Sequence, residues 1–274
     1  MTSMNPKVAD RITVDGVGLE TRWIGPGPDE APTIVMLHEG LGSAGLWRDW
    51  PERLAAATGA GVFLYSRGGY GASDPVPLPR PLSYMEDEAL RVLPKVLDAI
   101  GFQRGVLLGH SDGASIAAIY AGGVEDFRVR GLVLFAPHFF VEDLSVASIE
   151  QARRDYETGD LKSRLARHHA NVDVAFRGWN DAWLDPGFRS WDIRDSIGYI
   201  RVPMLIVQGV ADRYGTRAQV DAAIEEAYCP VDVEWLEGVD HSPHLEAPVR
   251  TLAVTAEFID TLFDTFGEGA RDGR

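Results

Sequence analysis

The sequence predicts an α/β fold: a mostly parallel central β-sheet flanked by helices, with a helical cap inserted in the second half of the chain. Three observations lead there. Short apolar runs bounded by glycine or proline recur along the 274 residues, and helical patterns alternate with them, as strands and crossover helices do in a parallel sheet. The middle runs are apolar at nearly every position, which fits strands buried on both faces. One stretch, residues 137–196, breaks the alternation, and so long a connection inside a compact domain is normally a functional insertion.

Taken in order, an opening strand pair is expected at 11–14 and 19–24, followed by strands at 33–37, 61–65, 105–108, 132–135, 203–207 and 231–236. Ahead of the strand at 105, Ser83 and Glu86 have capping-box spacing; Leu90, Leu93, Leu97 and Ile100 then fall at helical spacing until Gly101 closes the element. Pro94 lies inside this helix and should remove a hydrogen bond and kink it. Residues 149–169 read as a charged helix with His168 and His169 on its surface, and an aromatic-rich text, AFRGWNDAWLDPGFRSW, follows. Towards the C-terminus Ile259, Leu262, Phe263 and Phe266 form a further apolar stripe, ahead of a polar tail at 267–274 that should fray. No repeat, low-complexity tract or linker divides the chain. The expectation is a single domain over 1–274, with a core of 1–136 and 197–274 and a cap of 137–196.

Composition narrows the function classes. With 45% hydrophobic and 24% charged residues, the chain should fold around a packed core. A net charge of -15 argues against nucleic acid as a partner, because phosphate backbones demand a basic face. Cys229 is the single cysteine and cannot form an internal disulfide. The opening MTSMNPKVAD lacks the basic start and apolar run of a secretory signal, so a cytoplasmic location is expected. No apolar run approaches the ~20 residues that cross a bilayer, so no membrane association is expected. A structural zinc site is not expected either.

The residues that carry chemistry begin with VLLGHSDGASIAAIYA, an apolar strand running through Gly109-His110-Ser111-Asp112-Gly113 into a helix of small residues. Gly-x-Ser-x-Gly between a strand and a helix is the setting in which a serine is held on a strained turn, and Gly109 and Gly113 supply the room. A helix N-terminus under Ser111 favours developing negative charge. A serine hydroxyl also needs a base, and the base needs a group that fixes its tautomer. Downstream, VPMLIVQGVADRYGT offers Asp212 just past a strand, and VEWLEGVDHSPHLEAP offers His241 just past the next.

On the elbow GHSDG, the aspartate in QGVADRYG and the histidine in DHSPHLEAP, the chain resembles the α/β-hydrolase superfamily, specifically its capped esterase and lipase-like members, over nearly its whole length. The resemblance implies Ser111 as nucleophile, Asp212 as acid and His241 as base. His244 is a rival base whose plainer role is loop packing, and Glu142 or Asp143 is a rival acid position. An oxyanion hole would take one N–H from Asp112 and a second from the loop His38-Glu39-Gly40-Leu41-Gly42-Ser43, with Gly40 ahead of Glu39 as donor. Relatives usually show His-Gly in that loop, so Glu39 is a departure: its carboxylate must point away, be paired or serve separately, and Arg67 is a conceivable partner. His38 reads as a structural residue of the loop. Of the cap aromatics Phe176, Trp179, Trp183, Phe188 and Trp191, most should glue the cap to the core. His110, Phe139, Trp179 and Trp183 are the candidate substrate contacts.

The function these readings imply is hydrolysis of a small to medium, apolar or aromatic carboxylic ester through an acyl-enzyme, with no cofactor and no metal. Lactonase, thioesterase, carbon–carbon hydrolase and perhydrolase activities use the same triad, and fold does not separate them. Ser111 stands against the epoxide hydrolases and dehalogenases of this architecture, which carry an aspartate nucleophile. A non-catalytic ligand-binding protein is the alternative from a different class.

Overall fold

A computed structural model describes residues 10–267; the expected polar tail after Gly267 and the side chain of Phe266 lie outside what it describes. Eight strands form one sheet in the order β1-β2-β4-β3-β5-β6-β7-β8. β1 (Arg11–Val14) and β2 (Val17–Ile24) form the antiparallel opening pair, and β2 runs antiparallel to β4 (Gly61–Tyr65). From β4 through β3 (Thr33–Leu37), β5 (Gly105–His110), β6 (Val129–Phe135), β7 (Met204–Gly209) and β8 (Val231–Leu236) every pairing is parallel. All eight expected strands are present, β2, β5, β6 and β7 being longer than their expected runs. Among these, β7 starts after Pro203, which has no N–H to give to a ladder.

The apolar runs are continuous because the sheet has a core on each side. In β3, Ile34 and Met36 join the cluster that holds Trp50 and Leu54 of α1 (Trp50–Thr58) and Ile259 and Leu262 of α11 (Pro248–Gly267). Val35 and Leu37 point the other way, into the cluster holding Leu93, Val96 and Leu97 of α3 (Leu93–Ala99) and Ile116 and Ile119 of α4 (Asp112–Gly123). β6 divides the same way, Leu132 and Leu134 against Val133 and Phe135, as the twofold side-chain period of a strand requires.

Of two local expectations for this helix, one is corrected and one takes a specific form. Ser83 makes no capping bond to a backbone N–H at α2 (Tyr84–Asp87); its hydroxyl donates to Asp87 Oδ2 at 3.1 Å. Glu86 instead accepts from Trp191 Nε1 at 2.9 Å, which ties this helix to the inserted segment. Pro94 does lie inside one continuous helical run from Tyr84 to Ala99, whose junction residues Glu88, Val92 and Leu93 all keep right-handed helical backbone. The irregularity its missing N–H imposes takes the form of a π-turn over Glu88–Val92, after which α3 continues from Leu93.

Between β6 and β7 the chain carries α5 (Asp143–Thr158), α6 (Leu161–Leu165), α7 (Val172–Trp183) and α8 (Arg194–Ile197). The charged stretch is two helices, broken at Gly159. Its aromatics pack on one another: Phe176 stacks on Tyr156 at 3.7 Å, Phe188 on Trp191 at 5.3 Å, and Trp183 meets Phe188 edge-on at 4.9 Å. His168 is exposed as expected, but His169 is buried. Its Nδ1 accepts from Gly71 N at 3.0 Å and its Nε2 donates to Leu41 O at 3.0 Å, fastening the insertion to two loops of the core. The last elements are α9 (Arg217–Glu226) and α10 (Pro243–Glu246). No helix among the described residues is long and apolar enough to cross a membrane.

Candidate active site

Ser111 sits between β5 and α4 with φ 53° and ψ -121°, a left-handed strain for a residue with a side chain. The flanking glycines permit it by close approach: a Cβ on Gly109 would lie 2.2 Å from Gly113 O, and one on Gly113 would lie 2.0 Å from Leu37 O. Ser111 N donates to Phe135 O at 2.9 Å, and Ser111 O accepts from Ala114 N at 2.8 Å, so the turn is pinned to β6 and to its own helix.

Asp212 follows β7. Tyr214 N donates to its Oδ1 at 2.7 Å and Gln208 Nε2 to its Oδ2 at 2.8 Å. His241, in the loop after β8, directs Nδ1 at the same carboxylate, 3.0 Å from Oδ1 and 2.9 Å from Oδ2. Nδ1 must carry the proton of that bond, which leaves Nε2 as the ring's basic nitrogen. Burial pushes the Asp212 carboxyl up, but the bond from His241, its charge and the Tyr214 N–H outweigh that and hold it down to about 2. Ser111 and His241 line one cavity of 360 Å³, and no direct hydrogen bond joins them among the described residues; in unliganded hydrolytic sites this contact commonly tightens only around substrate.

Glu39, Gly40 and Leu41 from the loop after β3 complete the core side of the cavity, while Ile149, Arg164, Trp179 and Trp183 of the insertion wall the other. Trp179 closes tightly on the loop, since a Cβ on Gly40 would meet its Nε1 at 2.2 Å. Among the described residues, neither Gly40 N nor Asp112 N has a protein acceptor. Glu39 directs its own N–H at its carboxylate, so Gly40 is the better placed donor on this loop. The expected partnership of Glu39 with Arg67 takes another form: Arg67 Nη2 donates to Glu39 O at 3.0 Å and Nη1 donates to His38 O, while the Glu39 carboxylate turns to His110, with Oε2 3.5 Å from Nδ1. His38 is structural, its Nε2 accepting from Arg67 N at 3.0 Å.

The remaining candidates sort as follows. Trp179, Trp183 and His110 line the cavity; Phe139 is fully buried in the core and does not line it, its backbone N–H being held by Gln219 Oε1 at 2.7 Å. His244 is packed between Trp47, at 4.7 Å, and Phe135, and burial drives its imidazole down to about 3. Glu142 accepts from Thr216 N at 2.9 Å and Gln219 Nε2 at 2.8 Å, and Asp143 pairs with Arg189 at 2.6 Å, so both have structural partners. Sequence reasoning missed Tyr84, His138, Tyr214 and Arg213. Tyr84 OH donates to the buried Asp112 Oδ2 at 2.5 Å and accepts from Trp183 Nε1 at 2.9 Å, a chain from elbow to insertion. His138 and Tyr214 flank the His241 ring at 5.6 and 4.7 Å. Arg213 pairs with Asp240 at the mouth. Only the position of Tyr214, two residues past the strand-end aspartate, carried any signal in sequence. Two larger surface hollows, of 480 and 540 Å³, lie against α11 and beside the end of α4, away from Ser111.

The chain belongs to the alpha/beta hydrolase family, whose profile matches residues 34–254. It is 21% identical to a proline iminopeptidase of Lactobacillus helveticus over 269 residues, covering 84% of this chain and 90% of that protein. It is 24% identical over 212 residues to 2-hydroxy-6-oxo-6-phenylhexa-2,4-dienoate hydrolase of Comamonas testosteroni, covering 68% and 73% of the two chains. The crystal structure of the enol-lactonase from Burkholderia xenovorans LB400 superimposes with a TM-score of 0.68 at 20% identity, covering 90% of this chain and 98% of that one. The family and the two sequence relatives support a hydrolytic enzyme, and the names of those relatives differ in substrate.

Proposed function

We propose that the protein is a serine hydrolase that cleaves a small to medium, apolar or aromatic carboxylic ester through an acyl-enzyme. The observation that carries this reading is the His241 imidazole, held at 2.9–3.0 Å by both oxygens of Asp212 on the wall of the cavity that contains the strained Ser111. Ser111 Oγ attacks the carbonyl carbon as His241 Nε2 takes its proton, and Asp212 stabilises the resulting imidazolium. The oxyanion collects the N–H groups of Asp112 and Gly40, with the positive end of α4 behind the former. His241 then protonates the departing alcohol, and a water activated by the same nitrogen releases the acid. Trp179, Trp183, Ile149 and Leu41 on the walls favour an apolar acyl or alcohol part, and 360 Å³ suits a ligand of modest size.

The test is turnover of p-nitrophenyl acetate and butyrate by the wild type and Ser111→Ala, with fluorophosphonate labelling. The wild type is expected to turn over and label, and the variant to do neither. An inert wild type, or an equally active variant, overturns the reading. A panel of lactones, thioesters and vinylogous 1,5-diketones, run on the same pair, separates the ester reading from the other bonds this machinery cleaves.

A further inference from the structure

Beside the His241–Asp212 pair stands a second carboxylate–imidazole pair that this mechanism does not use. His110, the residue before the nucleophile, is buried, and both of its ring nitrogens face acceptors. Nε2 lies 2.7 Å from His241 O, and a carbonyl can only accept, so Nε2 carries a hydrogen. Nδ1 lies 3.5 Å from Glu39 Oε2 and has no closer partner among the described residues. A neutral ring with its hydrogen on Nε2 would turn a buried lone pair at the half-buried Glu39 carboxylate, which is unfavourable.

We propose that Glu39 and His110 form an ionised positioning pair that ties the oxyanion loop and the nucleophile turn to the backbone of the catalytic histidine. Its two ends are the residue before Gly40 and the carbonyl of His241 itself. The base is thereby fixed twice: its ring by Asp212, its main chain by His110. The imidazolium also offsets the Glu39 charge, so the departure from His-Gly in this loop places no uncompensated anion beside the developing oxyanion. Burial pushes the Glu39 carboxyl up, and the hydrogen bond and charge of His110 outweigh that and hold it well below the carboxylate range. The other ionisable groups around the pair are His38, Arg67, His138, His169, His241 and His244. Of these His38, His138, His169 and His244 are all shifted towards the neutral form, first of all by burial, so they do not supply the compensating positive charge, and Arg67 is engaged with backbone carbonyls.

This inference rests on the triad proposed above, and its test separates the two. Ring-nitrogen NMR of ¹⁵N-histidine-labelled protein at pH 7.5 is expected to show His110, assigned through its loss in His110→Gln, protonated on both nitrogens in the wild type. In Glu39→Gln, which keeps a hydrogen-bonding side chain without the charge, it should be protonated on Nε2 alone. On p-nitrophenyl acetate, Glu39→Gln is expected to lower kcat by about 10- to 100-fold, as loss of an outer partner commonly does, with KM nearly unchanged. The double variant Glu39→Gln/His110→Gln should be no worse than the poorer single variant, because each residue acts through the other. A His110 ring neutral in the wild type, or losses that multiply in the double variant, overturns the pair. The protonation readout does not need turnover, so it stands or falls separately from the Ser111→Ala experiment.

Discussion

Acid should unfold this protein by titrating histidines that the fold keeps uncharged. His138 and His244 are buried, and burial drives each imidazole down to about 3 from an ordinary 6.5. A base depressed in the folded state is protonated first in the unfolded chain. Its stabilising contribution is therefore complete above about pH 6.5 and is lost as the pH falls from there towards 3. Each such histidine costs about 1.4 kcal/mol per pH unit once the unfolded ring is protonated, which integrates to about 2 kcal/mol between pH 7.5 and 5.0 and about 4 kcal/mol for the two. His38 and His169 are shifted in the same direction, burial again being the leading cause, and add to the loss. Asp112 and Glu88, whose carboxyls burial pushes up, gain protons first in the folded state and offset part of it. A single-residue comparison removes that offset. His244→Leu keeps the contact with Trp47 and Phe135 but deletes one titration, so urea unfolding followed by tryptophan fluorescence should show the variant losing about 2 kcal/mol less than the wild type between pH 7.5 and 5.0. Parallel pH curves for the two proteins would refute the reasoning.

Other outcomes follow from the site. Asp212→Asn should leave the fold intact by circular dichroism and lower kcat on p-nitrophenyl esters by about 10,000-fold, because the amide no longer fixes the productive tautomer. Tyr84→Phe strips the 2.5 Å donor from Asp112 Oδ2 and should destabilise the protein by about 1–3 kcal/mol in chemical denaturation; an unchanged midpoint would mean that the carboxyl finds another donor. Gly113→Ala places a Cβ 2.0 Å from Leu37 O, a backbone atom with little room to yield, and should cost about 1–3 kcal/mol in a thermal melt.

Much of this architecture was legible because strands buried on both faces announce themselves as unbroken apolar text, and because a strand-to-helix serine turn needs glycines at fixed offsets. That Asp212 and His241 would come together was legible through their positions past successive strand ends. What the sequence hid were contacts between distant residues without periodicity. His169 reads as one more polar residue in a charged helix until Gly71, 98 positions away, is brought beneath it. Glu39 suggested a partner in Arg67 by charge alone, and only the folded loop shows guanidinium on carbonyls and carboxylate on His110. Ser83 had the spacing of a cap, yet Glu86 was taken by Trp191 across the insertion, a tertiary bond that local pattern does not register. Phe139 was aromatic and near the insertion, but the polarity of its backbone neighbours does not reveal that its ring turns into the core.

The buried histidine of the insertion fastens that segment to two loops of the core. Its two ring nitrogens and the neighbouring Ala170 N–H are committed to Leu41 O, Gly71 N and Gly71 O. Lifting that end would break all of them together, at roughly 1 kcal/mol each and more wherever a group stayed dry and unpaired. The cavity is also lined by Arg164 and Arg213, side chains 58% and 68% exposed, whose ion pairs with Asp160 and Asp240 water readily replaces. The histidine's end of the insertion is thus the firmer attachment of the cavity wall, and the exposed arginine pairs are the weaker one.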